Sequence, residues 1–131
     1  MSISGQASAS LVELTVSDGE FSAPVLERLI SAAASRADLP IDRIVDALAA
    51  VDALVVATDR VFEAAENRQF SVEIEPGEVR LAVNGLQDGQ AESLLGASHL
   101  PALGGILERM ATSVATKVRP DGETSLILAF T

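Results

Sequence analysis

Pro40–Phe62, PIDRIVDALAAVDALVVATDRVF, is the stretch on which the reading of the whole chain turns. Ile41, Ile44, Leu48, Val51, Val55 and Phe62 follow in helical steps, with Thr58 filling the one open turn. That spacing lays them along one stripe of an α-helix, the kind of stripe that faces a core. The helix is long for a chain of 131 residues, a length that suggests one domain with a single core. It is expected to be the central packing helix, with the other elements laid against it.

Upstream, Val12, Leu14 and Val16 alternate with Glu13 and Thr15, the pattern of a half-buried strand. Ser17-Asp18-Gly19 reads as a turn. A helix follows, started by Ser22 as a cap or by Pro24 in its first turn. Leu26, Leu29, Ile30 and Ala33 are its apolar face; Glu27, Arg28 and Arg36 are its wet one. Asp38-Leu39-Pro40 ends it and opens the long helix, so the two should pack as neighbours. Residues 1–10 are small and polar and read as a mobile arm.

Downstream, Glu63–Gln69 is charged and reads as exposed. Phe70, Val72 and Ile74, the turn Pro76-Gly77, and Val79, Leu81 and Val83 spell a hairpin. The stretch GLQDGQAESLLGAS, 85–98, has no clean period and reads as an irregular connection with one helical turn near Glu92. Loops of that length in small domains are often functional. Leu103, Ile106, Leu107 and Met110 mark another amphipathic helix, with Pro101 near its start. Gly104 and Gly105 weaken it by about 1 kcal/mol each and suggest close approach of a backbone or ligand. Val114–Val118 and Thr124–Phe130, around Pro120-Asp121-Gly122, form a second hairpin. The expected fold is α+β: a mostly antiparallel, mixed five-stranded sheet with helices packed on one face, in a single domain over 11–131.

Composition excludes several functions. A net charge of −10 with no basic run opposes duplex binding, which needs clustered positive charge. Four Phe and no Tyr or Trp leave little to stack on bases. Basic or mixed-charge protein partners fit the field better. With no cysteine there is neither a disulfide framework nor a thiolate site. The first ten residues lack the pattern of a signal peptide, and no apolar run approaches the about 20 residues of a membrane span. We expect a cytoplasmic protein that binds neither membrane nor nucleic acid.

Few side chains suggest catalysis. His99 is the lone histidine and lies in a Gly/Ser-rich stretch with no acid at helical spacing, so a surface or capping role is expected. Asp42 and Asp46, like Glu73 and Glu75, occupy wet faces. Asp88 with Glu92 offers at most a weak cation site. No two carboxylates are paired in a setting expected to be buried, as general acid–base chemistry would require.

The element order and its glycines nevertheless resemble the anti-sigma-factor serine kinases of bacterial partner-switching systems, small members of the GHKL (histidine-kinase-like) ATPase superfamily. The resemblance runs from Leu11 to Phe130, and each of its three motifs is degraded. In that family the long helix carries a Glu and, one turn on, an Asn that binds magnesium. Matching LAAVDALVVATD to the pattern puts Asp52 at the base position and Val56 at the metal position. Magnesium needs hard oxygen ligands, and Val56 has none. The next motif, an Asp that reads adenine followed by a Gly-x-Gly turn, falls on RLAVNGLQDG: Asn84, Gly85 or Leu86 stand near the Asp position, and only Gly89 remains in the turn. Losing the adenine bond would cost roughly 1–3 kcal/mol, with each 1.4 kcal/mol worth about tenfold in affinity. The Gly-rich lid is reduced to Leu103-Gly104-Gly105.

The resemblance therefore implies a two-layer GHKL-like sandwich that is no longer an enzyme. Asp52 would be a vestigial base, and Val56, Asn84, Gly85, Gly89, Gly104 and Gly105 vestigial ATP-site positions, with no metal or cofactor expected. Family partners are sigma factors and STAS-domain antagonists, and family members commonly dimerise. The expected function is a non-catalytic regulatory module that binds protein. The alternatives are a divergent, ATP- and magnesium-dependent serine kinase, with Asp52 as base and Asn84 reading adenine, or an unrelated small α+β interaction protein. A phosphotransfer adaptor using His99 would need that residue on a helical hairpin.

Overall fold

Backbone pairing and the period-two alternation of side chains together build the sheet. A computed structural model describes residues 2–5, 10–16, 22–62, 68–97, 99–100 and 104–131. Its elements are β1 (Ser2–Gly5), β2 (Ser10–Val16), α1 (Ser22–Arg36), α2 (Ile41–Val61), β3 (Arg68–Glu75) and β4 (Glu78–Leu86). After these come α3 (Gln90–Ala97), β5 (His99–Leu100), β6 (Gly104–Gly105), α4 (Ile106–Met110), β7 (Ser113–Val118) and β8 (Thr124–Phe130). Six strands form one sheet in the order β1-β2-β3-β4-β8-β7, and every neighbouring pair is antiparallel. Strands β5 and β6 form a separate two-residue pair.

The α+β class is as expected, with one more strand in the main sheet. Ser2–Gly5, read as part of an arm, pairs with Ser10–Glu13. Edge pairing uses backbone donors and acceptors and needs no apolar alternation, so a small polar segment can add a strand without a side-chain signal. The turn read at Ser17-Asp18-Gly19 lies outside the described residues, as do Pro101 and Leu103.

Phe70, Val72, Val79, Leu81, Val83, Leu126, Leu128 and Phe130 point from the sheet into one core with α1 and α2. The other face carries Ser71, Glu73, Arg80, Asn84 and Lys117 and has no helix over it among the described residues. The hairpin between β3 and β4 turns at Pro76-Gly77, where Gly77 has a φ of 77°. Gly77 N–H donates to the Ala37 carbonyl at 2.9 Å, which ties the hairpin tip to the end of α1. That end closes as a Schellman motif, with Asp38 left-handed (φ 62°). Leu39 N–H bonds the Ala34 carbonyl and Asp38 N–H the Ser35 carbonyl.

A bulge in β4 corrects the reading of Asn84 and Gly85. Val83 pairs with Leu126 and Leu86 with Thr124, so Asn84 and Gly85 together oppose the single residue Ser125. Gly85 has a φ of 69°, the left-handed backbone such a bulge demands. The extra residue returns Leu86 to the core face, where it is fully buried. These residues belong to a strand, and the irregular connection expected from 85 begins only after Leu86.

Helix α2 spans the expected residues but is turned toward its alanines. Its buried positions are Ala47, Ala50, Val51, Leu54, Val55, Ala57 and Thr58. Thr58 is accommodated because its hydroxyl donates to the Val55 carbonyl at 2.8 Å. Ile44 and Leu48, expected in the core stripe, are half-buried, and Ile41 is 72% exposed. Alanine was invisible to a stripe built from large side chains. Here Ala33, Ala34 and Ala37 of α1 are buried as well, and small side chains let neighbouring backbones come close.

Two further expectations are corrected. Residues 90–97 form a two-turn helix with Ala91 and Leu94 buried, where a single turn was expected. The helix expected from 103 begins at Ile106 and has five residues, because Gly104 and Gly105 pair as strand with Leu100 and His99. Arg68, read as part of an exposed charged run, is 3% exposed and pairs with Asp59 of α2; its Nε has no hydrogen-bond partner.

Candidate functional site

The outward face of α2 is unusual among the described surfaces. A helix with one face in the core should present polar residues on the other. Instead Ile41, Val45 and Val56 are 72%, 59% and 49% exposed, and the i, i+4 steps 41, 45, 49, 53 put Ala49 and Ala53 on the same side. Ala97 at the end of α3 and Ile106 at the start of α4 close this side of the helix into a groove of about 370 Å³. Asp52 and Arg60 are the charged residues lining it. Arg60 Nη1 donates to the Ala97 carbonyl at 3.3 Å, which fixes the end of α3 against α2 and meets the negative end of its dipole.

Glu27 of α1 approaches the same rim. Its pKa is raised, chiefly by hydrogen bonding to the Asp52 side chain, then by repulsion from the Asp52 charge and by desolvation. Sequence reasoning saw Glu27 only as part of a wet face. The pair exists because α1 packs beside α2, and nothing local in either segment signals it. Arg60, Ala97 and Ile106 were missed for the same reason.

The residues matched to nucleotide motifs do not converge. Asp52 and Val56 line the groove, and Gly105 adjoins it through Ile106. Gly105 has ordinary extended backbone (φ −75°) and caps α4, with the Glu108 carboxylate lying over its Cα. Gly104 takes part in the β5–β6 pair. Gly89 is an exposed turn residue (φ 82°) before α3, with nothing near its Cα hydrogens. Asn84 and Gly85 lie on the far face of the sheet. There the Asn84 amide donates to Ser71 Oγ at 3.1 Å, while its oxygen accepts from Ser125 Oγ at 2.7 Å and Arg119 Nη2 at 3.3 Å. The acceptor that would read adenine is already engaged. The backbone of His99 pairs with Gly105; its side chain lies outside the described residues.

The open face of the sheet holds a larger hollow, about 510 Å³, and two of its polar clusters, around Arg80 and Asn84, are internally bonded. Glu75 stands directly across from Glu78, and Arg80 across from Glu73. Arg80 binds all three carboxylates at 3.0–3.1 Å, which offsets the like-charge pairing. Its own pKa is raised, chiefly by the bond to Glu78. Much of this face is internally paired, whereas the α2 groove leaves apolar area wet.

A magnesium nucleotide does not fit the groove. Its lining offers methyl groups from Ala49, Ala53, Val56, Ala97 and Ile106, and Val56 has no lone pair where the family uses an amide oxygen. The Asp52 and Glu27 carboxylates are the nearby oxygen ligands, and Arg60, the cation of the lining, is already bonded to the Ala97 carbonyl. No helix among the described residues is long and apolar enough to cross a membrane. Comparison with family models and with curated proteins finds no match.

Proposed function

We propose that this chain is a non-catalytic, cytoplasmic protein-binding module with a regulatory role, in the manner of an anti-sigma factor that no longer uses ATP. The observation that carries the reading is the apolar outer face of α2, with Val56 exposed in a groove whose walls are alanine and isoleucine. Wet apolar surface bordered by charged residues, here Asp52 and Arg60, marks interaction sites. The acid excess of the sequence suits a basic or mixed-charge partner. A sigma factor or a STAS-domain antagonist is the partner class that the family resemblance suggests, and self-association is a further outcome to measure. The separation of Asn84 from Val56 supports reading the nucleotide motifs as lost. A cysteine-free sequence is compatible with a reducing cytoplasm.

The kinase reading draws on one observation, the Glu27–Asp52 contact, since a carboxyl with a raised pKa is a possible proton acceptor. Val56 stands where the family has its amide ligand, and the adenine-reading position, Asn84, lies outside this groove. Calorimetry with ATP and magnesium separates the two readings. Absence of a saturable heat at millimolar nucleotide is expected; micromolar binding abolished by Asp52→Ala would establish a nucleotide site instead.

A further inference from the structure

We propose that the outer face of α2 receives one amphipathic helix of a partner protein, and that this helix places a lysine or arginine against the Glu27 and Asp52 carboxylates. The inference rests on the protein-binding reading above and adds the partner's chemistry to it.

Shape is the first ground. Ile41, Val45, Ala49, Ala53 and Val56 form a stripe about 22 Å long at 1.5 Å per residue, enough to lie along four turns of another helix. Apolar residues at i and i+4 on one helix are complemented by the same spacing on a second, ridge into groove. The groove beside Val56, bounded by Ala97 and Ile106, gives an apolar anchor somewhere to go.

Charge is the second ground. Asp52 is exposed in the wall of the groove, and the Glu27 carboxyl of α1 stands beside it, its pKa raised by that neighbour. A cation set between them would relieve both at once. Arg60 stands at the other end of the groove, bonded to the Ala97 carbonyl. The groove is thus acidic at one end and basic at the other, which sets the direction of a bound helix: basic residue toward Asp52, acidic or neutral residue toward Arg60. A second copy of this chain is a poor occupant, because it would bring ten more negative charges to an acidic surface.

Selection from a phage-displayed library of helix-forming peptides, with the full chain as bait, tests the proposal. Enriched peptides should share apolar residues at i, i+4 and i+7 and a Lys or Arg one turn away. Their affinity should fall at least tenfold with Val56→Asp and also with Val45→Asp, both at exposed positions where circular dichroism should stay unchanged. The joint variant Glu27→Gln, Asp52→Asn should erase the preference for lysine over glutamine in the peptide, and Asp52→Lys should invert it toward glutamate. Several results would overturn the proposal: no enrichment, peptides without a basic residue, binding indifferent to both aspartate variants, or a wild-type dimer that Val56→Asp dissociates. Peptides that bind the groove without a cation would leave the protein-binding reading standing and remove only the partner chemistry. Saturable ATP binding in the same groove would remove that reading itself.

Discussion

Replacing Gly85 by alanine should destabilise the protein by about 1 kcal/mol, and the figure follows from the β4 bulge. At a φ of 69°, an L-residue carries roughly 1–2 kcal/mol of strain. The alanine Cβ would stand 3.4 Å from Gln69 Oε1 and 3.6 Å from Glu123 Oε2, both ends of flexible side chains that can yield, so contact adds little. Against the strain, alanine narrows the unfolded ensemble and returns about 0.4–1 kcal/mol. Urea unfolding followed by far-ultraviolet circular dichroism would read the net effect. With a slope near 2 kcal/mol per molar, the midpoint should fall by about 0.5 M. Gly85→Asn should lose less, because asparagine enters the left-handed region more readily. Gly96→Ala is the control of opposite sign: Gly96 lies within α3 with open space about it, so alanine should stabilise by about 0.5–1 kcal/mol. A Gly85→Ala protein as stable as wild type would refute the bulge as the reason for this glycine. It would also return Asn84-Gly85 to the list of ligand-loop remnants.

Three other outcomes are expected. Leu54→Ala should cost about 2–5 kcal/mol, as for any fully buried leucine truncated in a core, while Ile41→Ala should leave stability within about 0.5 kcal/mol; equal losses would restore the original stripe. Glu27→Gln should raise the melting temperature at neutral pH, where the wild-type carboxylates repel. Because the folded pKa of Glu27 is raised, its favourable contribution is present below the unfolded value and fades as pH rises through the folded one. The advantage of the glutamine variant should therefore shrink on acidification, and an advantage that grew would contradict the pairing with Asp52. Val56→Asn restores the oxygen ligand that the family resemblance requires, and should still confer no ATP binding by calorimetry, because Asn84 remains on the other side of the sheet.

The strands were legible because alternation is a strong local signal: Phe70 to Val83 and Thr124 to Phe130 emerge where they were expected. The length of α2 was legible from its period. Its orientation was not, since alanines carry most of the buried face and a reading weighted by side-chain size passes over them. Helix α3 was obscured by Gly89 before it and Gly96 within it, although Ala91 and Leu94 are three apart and both buried. The β4 bulge has a signature in Asn84-Gly85, a positive-φ pair within an alternating run, and that signature was assigned to a nucleotide motif. The Glu27–Asp52 pair and the Ala97–Ile106 wall are tertiary; they depend on how α1, α3 and α4 meet α2, which no local pattern encodes.

A groove on α2 that docks protein should leave nucleotide unbound. The most direct measurement follows the backbone amide shifts of Ala49, Ala53, Val56 and Ile106 in a ¹⁵N-labelled chain while ATP and magnesium are added. They should stay in place up to millimolar nucleotide. Saturable movement of those four amides with a micromolar midpoint would contradict the account.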